Sequence, residues 1–187
     1  MRVSSPDMAH AGTRRLTGAM VAFSRGTTLF LAVMTTGVVT GVLQVYAHTV
    51  MPGLGRTDDR TFIGAFQAMD RAILNPLFLS TFLGATIFIG SALMLSLGPG
   101  FRRLLPWLTA ALVLYLVVLV VTFAINVPLN DALKAAGDAA RMPDPHAVRE
   151  RFNELRWVRW NTVRALASTA SFGCLTWTLV LYGRITP

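Results

Sequence analysis

Apolar residues run in four long blocks along this chain, and polar residues collect between them. The blocks cover residues 27–47, 76–97, 106–126 and 161–182. Each is 21 or 22 residues long. A helix rises about 1.5 Å per residue and needs about 20 apolar residues to cross the hydrocarbon of a bilayer. The pattern therefore predicts four membrane-spanning helices. The third block holds the run LTAALVLYLVVLVVTFAI, with no charge in it.

The segments between the blocks carry helix punctuation. Residues 48–58 read as a loop through Pro52, Gly53 and Gly55, closed by the Asp58-Asp59 pair as a helix cap. A helix over 59–74 follows, with Phe62, Phe66, Met69 and Ile73 on one face and Gln67, Arg71 and Asn75 in a polar stripe beside Asp70. Asn75-Pro76 restarts the chain as the second span, with Asn as cap and Pro in the first turn. Gly98-Pro99-Gly100 ends that span, and Phe101-Arg102-Arg103 makes a tight basic turn. Pro128 removes a backbone donor after the third span and predicts a bend. An Ala-rich helix runs on to about Arg141. Pro143-Asp144-Pro145 then breaks the chain, with one helix expected over 145–182.

The predicted fold is all-α: an integral membrane four-helix bundle with amphipathic interfacial helices between spans 1 and 2 and between spans 3 and 4. Residues 1–26 read as a loose, polar, basic leader, residues 27–182 as one four-span domain, and 183–187 as a tail. Val45-Tyr46-Ala47 resembles a signal-peptidase site, but a signal core is normally only about 7–15 residues long. A retained helix is the expectation. Gly37 and Gly41 give the first span a small face that admits a neighbouring helix.

Composition agrees with a lipid setting. The chain is 53% hydrophobic and only 14% charged, against about 25% charged in soluble domains. The net charge of +8 comes from arginines placed mostly beside the spans, which points to lipid headgroups and orientation and away from nucleic acid. Four spans put both termini on one side. Segments 1–26, 98–105 and the tail hold seven basic residues and one acid, and the other side holds ten and eight. The basic leader and the Arg102-Arg103 turn favour cytoplasmic termini in a bacterial inner (plasma) membrane, with the lipid bilayer as partner. The oligomeric state stays open. The single cysteine, Cys174, excludes an intrachain disulfide and a cysteine-based metal site.

Candidate chemistry gathers at the face away from the termini. His48 follows the first span, and Gln67, Asp70, Arg71 and Asn75 precede the second. Asn126, Asn130 and Asp131 follow the third, and Trp157, Trp160, Asn161 and Arg164 enter the fourth. Asn153, Trp157, Asn161, Arg164, Ser168 and Ser171 form one stripe at steps of three and four. Lipid cannot satisfy such a stripe, so it must face other helices or a cavity. Structural readings stand beside each functional one. The tryptophans serve as interfacial anchors or as a wall. Arg164 snorkels, pairs with Asp70 or Asp131, or binds a ligand. Asn75 is a helix cap, and Asn126 and Asn130 satisfy backbone freed by Pro128. His48 reads as a surface residue or a base. No HExxH, CxxC, GxGxxG, P-loop or GxSxG occurs, so metal, nucleotide and serine-hydrolase readings lack a motif. No cofactor and no metal is expected. A transporter is disfavoured because no span centre carries an ionisable residue.

The runs VMPGL at 50–54, DDRTFIGAFQAMDRAILNPLF at 58–78, NVPLNDAL at 126–133 and WVRWNTVRALAS at 157–168 resemble the anthrone-oxygenase-like family of small four-span membrane proteins. The resemblance covers roughly residues 27–182. It implies oxidation of a lipophilic aromatic, an anthrone, by O2 without a bound cofactor. The chain departs from the family pattern at Asp70, where the resemblance leads to Asn in a Q-x-x-N run. For such chemistry the resemblance implies Asp70 or His48 as base, and Arg164, Asn161, Gln67 and Asn130 as donors to an oxyanion. Trp157 and Phe66 would stack on the rings, with Asn75, Asn126 and Trp160 as further substrate contacts. A non-enzymatic bundle whose polar face docks a partner or a lipid headgroup is the rival reading. The two differ in what they require at the polar face: a cavity beside the charged groups, or full pairing with no void.

Overall fold

The computed structural model describes residues 5–185, with side chains described from residue 20 onward. No strand occurs among the described residues. The helices are α1 (Ser5–Val45), α2 (Met51–Leu54), α3 (Asp59–Ile73), α4 (Pro76–Leu95), α5 (Leu105–Val121), α6 (Val127–Ala135), α7 (Pro145–Phe152) and α8 (Glu154–Ile185). Four helical stretches are long and apolar enough to cross a membrane: Met20–Leu54, Pro76–Leu95, Pro99–Ala135 and Pro145–Ile185. The chain is a multi-pass membrane protein built as a four-helix bundle.

The bundle core repeats at helical spacing. Leu29, Ala32, Val39 and Leu43 of α1 meet Phe82, Ala85, Ile89 and Ala92 of α4. Leu108, Ala111, Tyr115 and Val118 of α5 meet Ala165 and Leu175 of α8. Alanine at these positions lets the backbones approach, which matters where lipid offers no hydrophobic drive between helices. Gly37 of α1 works the same way, since a Cβ there would lie 2.9 Å from the Phe172 ring of α8. Gly41 has open space instead. Few polar bonds cross the spans. Tyr115 donates to the Phe82 carbonyl at 2.8 Å and Ser171 to the Ala111 carbonyl at 2.9 Å. At the end near the termini, Arg25 donates to the Leu95 carbonyl at 2.7 and 2.9 Å and lies over the Phe101 ring.

Four features of the chain path differ from the sequence expectation. The leader is helical from Ser5, continuous with the first span, and residues 1–4 lie outside the described residues. Residues 48–54, expected in a loop, are helical: a π-helical turn over Tyr46–Val50 leads into α2. A second π-helical turn, Thr122–Asn126, joins α5 to α6, so Pro128 does not end the third rod. Both turns sit just ahead of a proline, Pro52 or Pro128. A proline ring clashes with the carbonyl four residues back. The wider turn relieves that clash, and the Met51 and Val127 N–H groups reach back five residues, to the Tyr46 and Thr122 carbonyls. The expected single helix over 145–182 is interrupted at Asn153, which adopts a left-handed φ of 55°. Its side chain accepts from the Arg156 N–H at 3.1 Å and starts α8.

The predicted caps form. Asp58 accepts from the Arg60 and Thr61 N–H groups, Asn75 from Phe78 and Asp144 from Ala147. α3 lies across one end of the bundle, but its buried face is Phe62, Ile63, Phe66, Gln67 and Asp70. Gln67 therefore leaves the expected stripe with Arg71 and Asn75, which are exposed. A second core forms here from Met51, Phe62, Phe66, Leu133, Phe152 and Trp157. Arginines bind the cap together. Arg60 donates to the carbonyls of Ala139, Ala140 and Met142. Arg149 lies over the Phe62 ring and bonds Thr57, Asp59 and Glu154. These two cations are structural ties, which explains part of the basic count on this side.

Hydrogen bonds from Arg149, then from His146, hold the Asp59 carboxyl below the usual aspartate range. A lowered folded value means the ionised form is the stabilised one. Its contribution is full above the unfolded-state value and is lost as pH falls through the lowered one. Thermal stability in detergent therefore falls below about pH 4, and Asp59→Asn removes that part of the fall. Identical acid profiles for the two proteins would contradict the tie.

Candidate functional site

A cavity of about 230 Å³ opens where the cap meets the bundle. Its wall is mostly apolar and aromatic: Phe66 of α3, Phe78 and Phe82 of α4, Phe123 of the second π turn and Trp157 of α8. Leu79, Leu83 and Phe123 line it and are themselves exposed on the membrane-spanning surface. That side of the cavity faces lipid. Both π turns border it, through Tyr46 on one and Thr122, Phe123 and Asn126 on the other. Such turns recur at functional sites because they displace side chains from regular helical positions.

Arg164 is the centre of the polar wall. It is 7% exposed, and it makes no ion pair with any carboxylate among the described residues. Neutral groups hold it. Its Nη1 donates to Thr122 Oγ1 at 3.1 Å and its Nη2 to Asn161 Oδ1 at 2.8 Å. The guanidinium carbon lies 5.6 Å from the Trp157 ring centroid. Asn161 is anchored in turn, donating to the Leu43 carbonyl at 3.3 Å. Thr122 donates to Val118 at 2.7 Å, so its lone pairs are turned to the arginine. The site is thus a fixed positive charge in an apolar setting, where a charge acts more strongly than in water.

Asp70 supplies the negative wall. Asn130 donates to its Oδ1 at 2.7 Å, and Lys134 Nζ lies 3.0 Å from its Oδ2. Asn130 also accepts from Trp157 Nε1 at 2.7 Å. One asparagine therefore joins α3, α6 and α8. Phe66 packs edge-on against Trp157 at 5.4 Å, which holds the indole across the cavity.

Seven of the eleven candidate residues line this cavity: Phe66, Asp70, Asn126, Asn130, Trp157, Asn161 and Arg164. Four do not. His48 is exposed in the first π turn. Gln67 donates to the Leu133 and Gly137 carbonyls at 2.8 and 3.0 Å, and so ties α3 to the end of α6. Asn75 is exposed and spends both ends of its amide on the caps of α3 and α4. Trp160 is half-buried on another side of α8. Tyr46, Thr122, Phe78, Phe82 and Phe123 are aromatic and polar lining residues that sequence reasoning missed. Phe78 and Phe82 carried a signal, an aromatic pair one turn apart at the start of a span. Thr122 is a hydroxyl in an otherwise apolar run.

A family model described as anthrone oxygenase matches residues 62–174. That is more than half of the chain, and the chain belongs to this family. No curated protein and no solved structure matches the chain. The matched stretch contains most of the cavity wall, from Phe66 to Arg164.

Asn130→Ala strands two neighbours at once, the Trp157 N–H and one Asp70 oxygen. Thermal unfolding in detergent should show a loss of about 1–3 kcal/mol. The loss should shrink when Trp157→Phe is already present, because one stranded group is gone. Fully additive losses would mean that the three residues are not coupled.

Proposed function

We propose that this protein is an oxidoreductase of the membrane that uses O2 on a flat, lipophilic, anthrone-like ketone, with no cofactor of its own. The observation that carries the reading is Arg164. It is a buried cation without a carboxylate partner among the described residues, set in an aromatic-walled cavity that faces lipid. Family membership supports the same chemistry. The chain sits in a bacterial inner membrane with cytoplasmic termini, an orientation supported by the short Arg102-Arg103 turn.

An anthrone carries a methylene between two rings, conjugated through them to a carbonyl. Removing one methylene proton places negative charge on that carbonyl oxygen. Arg164 donates to the oxyanion, in the manner of any preorganised donor aimed at developing charge. Asp70 takes the proton, since it lines the cavity and His48 does not. The electron-rich anion passes one electron to O2, and the radical pair closes a C–O bond at the former methylene carbon. Asp70 returns the proton to give a hydroperoxide. Loss of water leaves a second carbonyl. The balance is CH2 plus O2 to C=O plus H2O, with both oxygen atoms accounted for. Trp157, Phe66 and Phe82 supply the flat apolar walls, and Asn130 keeps the carboxylate in place.

The rival reading is a non-enzymatic structural or partner-binding protein. It has one observation in its favour: Asp70 is already paired with Asn130 and Lys134, as a structural tie would be.

Oxygen uptake with emodin anthrone, in detergent and corrected for autoxidation, separates the two. The oxidase reading expects uptake above the blank. It expects Arg164→Met to lose about 100-fold or more and Asp70→Asn about 100-fold, with both variants still folded. No uptake above the blank, with the same variants affecting only thermal stability, would favour the structural reading.

A further inference from the structure

The end of the bundle that carries the chain termini has a charged surface of its own, apart from the cavity. The turn over residues 99–104 packs against the end of α8 there, with the Phe101 and Tyr182 ring centres 6.1 Å apart. Further in, Trp107 of α5 meets Trp177 of α8 edge-on at 6.3 Å. These two contacts fix the register of the antiparallel pair, so residues 102–106 run alongside 178–184. Arg103 stands about one turn before Trp107, and Arg184 about two turns after Trp177, so each arginine shares the face of its tryptophan. The Arg184 guanidinium carbon lies 5.8 Å from the Trp177 ring centre. All four side chains are exposed on the surface of the bundle.

No carboxylate answers this charge. Every acid in the chain except Asp7 lies between Asp58 and Glu154. Among the described residues, Arg102, Arg103 and Arg184 make no ion pair and no hydrogen bond. Arg25 nearby is different: it is buried and spends its guanidinium on the Leu95 carbonyl and the Phe101 ring. A guanidinium over an indole keeps its edge N–H groups for an acceptor beside the ring. Tryptophans at a span end mark headgroup depth, and the acceptor at that depth is a lipid phosphate.

We propose that the α5–α8 edge at this end is a binding site for one anionic phospholipid. Arg103 and Arg184 hold the headgroup phosphate, and Trp107 and Trp177 pack against the glycerol and the upper acyl chain. The lipid bridges the two helices that, towards their other ends, lead to Thr122 and carry Arg164. Charge sets the selectivity. A phosphatidylglycerol headgroup brings net negative charge, whereas choline would set a further cation beside the arginines. The site stands whether or not the cavity is that of an oxidase.

Native mass spectrometry of the full chain tests the site. Protein stripped of lipid in detergent is given equal amounts of phosphatidylglycerol and phosphatidylcholine with the same acyl chains, and the retained lipid is counted. The proposal expects one retained phosphatidylglycerol, favoured about tenfold over phosphatidylcholine. Arg103→Gln with Arg184→Gln should bring that ratio to about one. If the double variant does not fold, each single variant should lower the ratio about threefold. Arg156→Gln with Arg159→Gln removes exposed arginines at the opposite end and should leave the ratio intact. Glycerol 3-phosphate in excess should leave the lipid bound, and full displacement by it would mark a site for soluble phosphates and overturn the lipid assignment. Equal retention of the two lipids by the wild-type protein, or retention of neither, overturns the proposal. So does a preference that survives loss of Arg103 and Arg184. A preference that Arg156→Gln with Arg159→Gln removes to the same extent would mean general attraction to basic charge, and overturns it as well.

Discussion

A guanidinium inside a membrane bundle has to be satisfied by the protein, because hydrocarbon offers it nothing. Arg164 meets that constraint with neutral oxygen atoms and an indole face. A carboxylate partner would have cancelled the charge and closed the site. Thr122 and Asn161 keep the charge and fix its direction. Much of the local architecture follows from holding this one cation. Thr122 opens the second π turn, Asn161 reaches the Leu43 carbonyl on α1, and Trp157 stands about two turns earlier on the same helix, tied by Asn130.

The cavity beside that cation exists because the four-helix packing is not uniform along its length. Through the middle of the bundle, alanine and Gly37 bring the helices together around Tyr115 and Leu175. At the end away from the termini the packing changes. Two prolines force wider turns, large phenylalanines replace alanine, and α3 closes over the top. Phe78 and Phe82 line the void from α4 and Phe123 from the third rod. Leu79, Leu83 and Phe123 carry this apolar wall out to the lipid-facing surface, so a lipophilic molecule has a route from the bilayer without crossing water. The same arrangement separates two jobs. Ion pairs of the cap, such as Arg149 with Asp59 and Glu154, are structural, and Arg164, held by neutral oxygens, lies below them.

The four-span bundle and its helix caps were legible in the chain. They rest on local rules: apolar length, Asx caps at Asp58, Asn75 and Asp144, and prolines in first turns. The site was legible in part. The stripe of Trp157, Asn161 and Arg164 follows directly from helical periodicity. Gln67 was misplaced for a physical reason. Spacing groups it with Arg71 and Asn75, but α3 is rotated so that Gln67 and Asp70 face inward with Phe62, Ile63 and Phe66. Only tertiary contact fixes that rotation. The π turns were not legible at all. Pro52 and Pro128 announce trouble in a helix, yet a break, a bend and a widened turn all answer it. The choice depends on the helices packed around the turn. Tyr46 and Thr122 were missed with them, since each becomes a cavity residue through the turn it occupies.

The central claim is that Arg164 is held without a carboxylate in order to meet a ligand oxygen. A structure of the protein with a hydroxyanthraquinone bound, determined in a lipid environment, tests it most directly. The account predicts the flat ring system between Trp157 and Phe82, one oxygen within hydrogen-bond distance of Arg164, and the apolar edge towards Leu83. A cavity closed by side chains, with Arg164 paired to Asp70 and the quinone elsewhere, would contradict it.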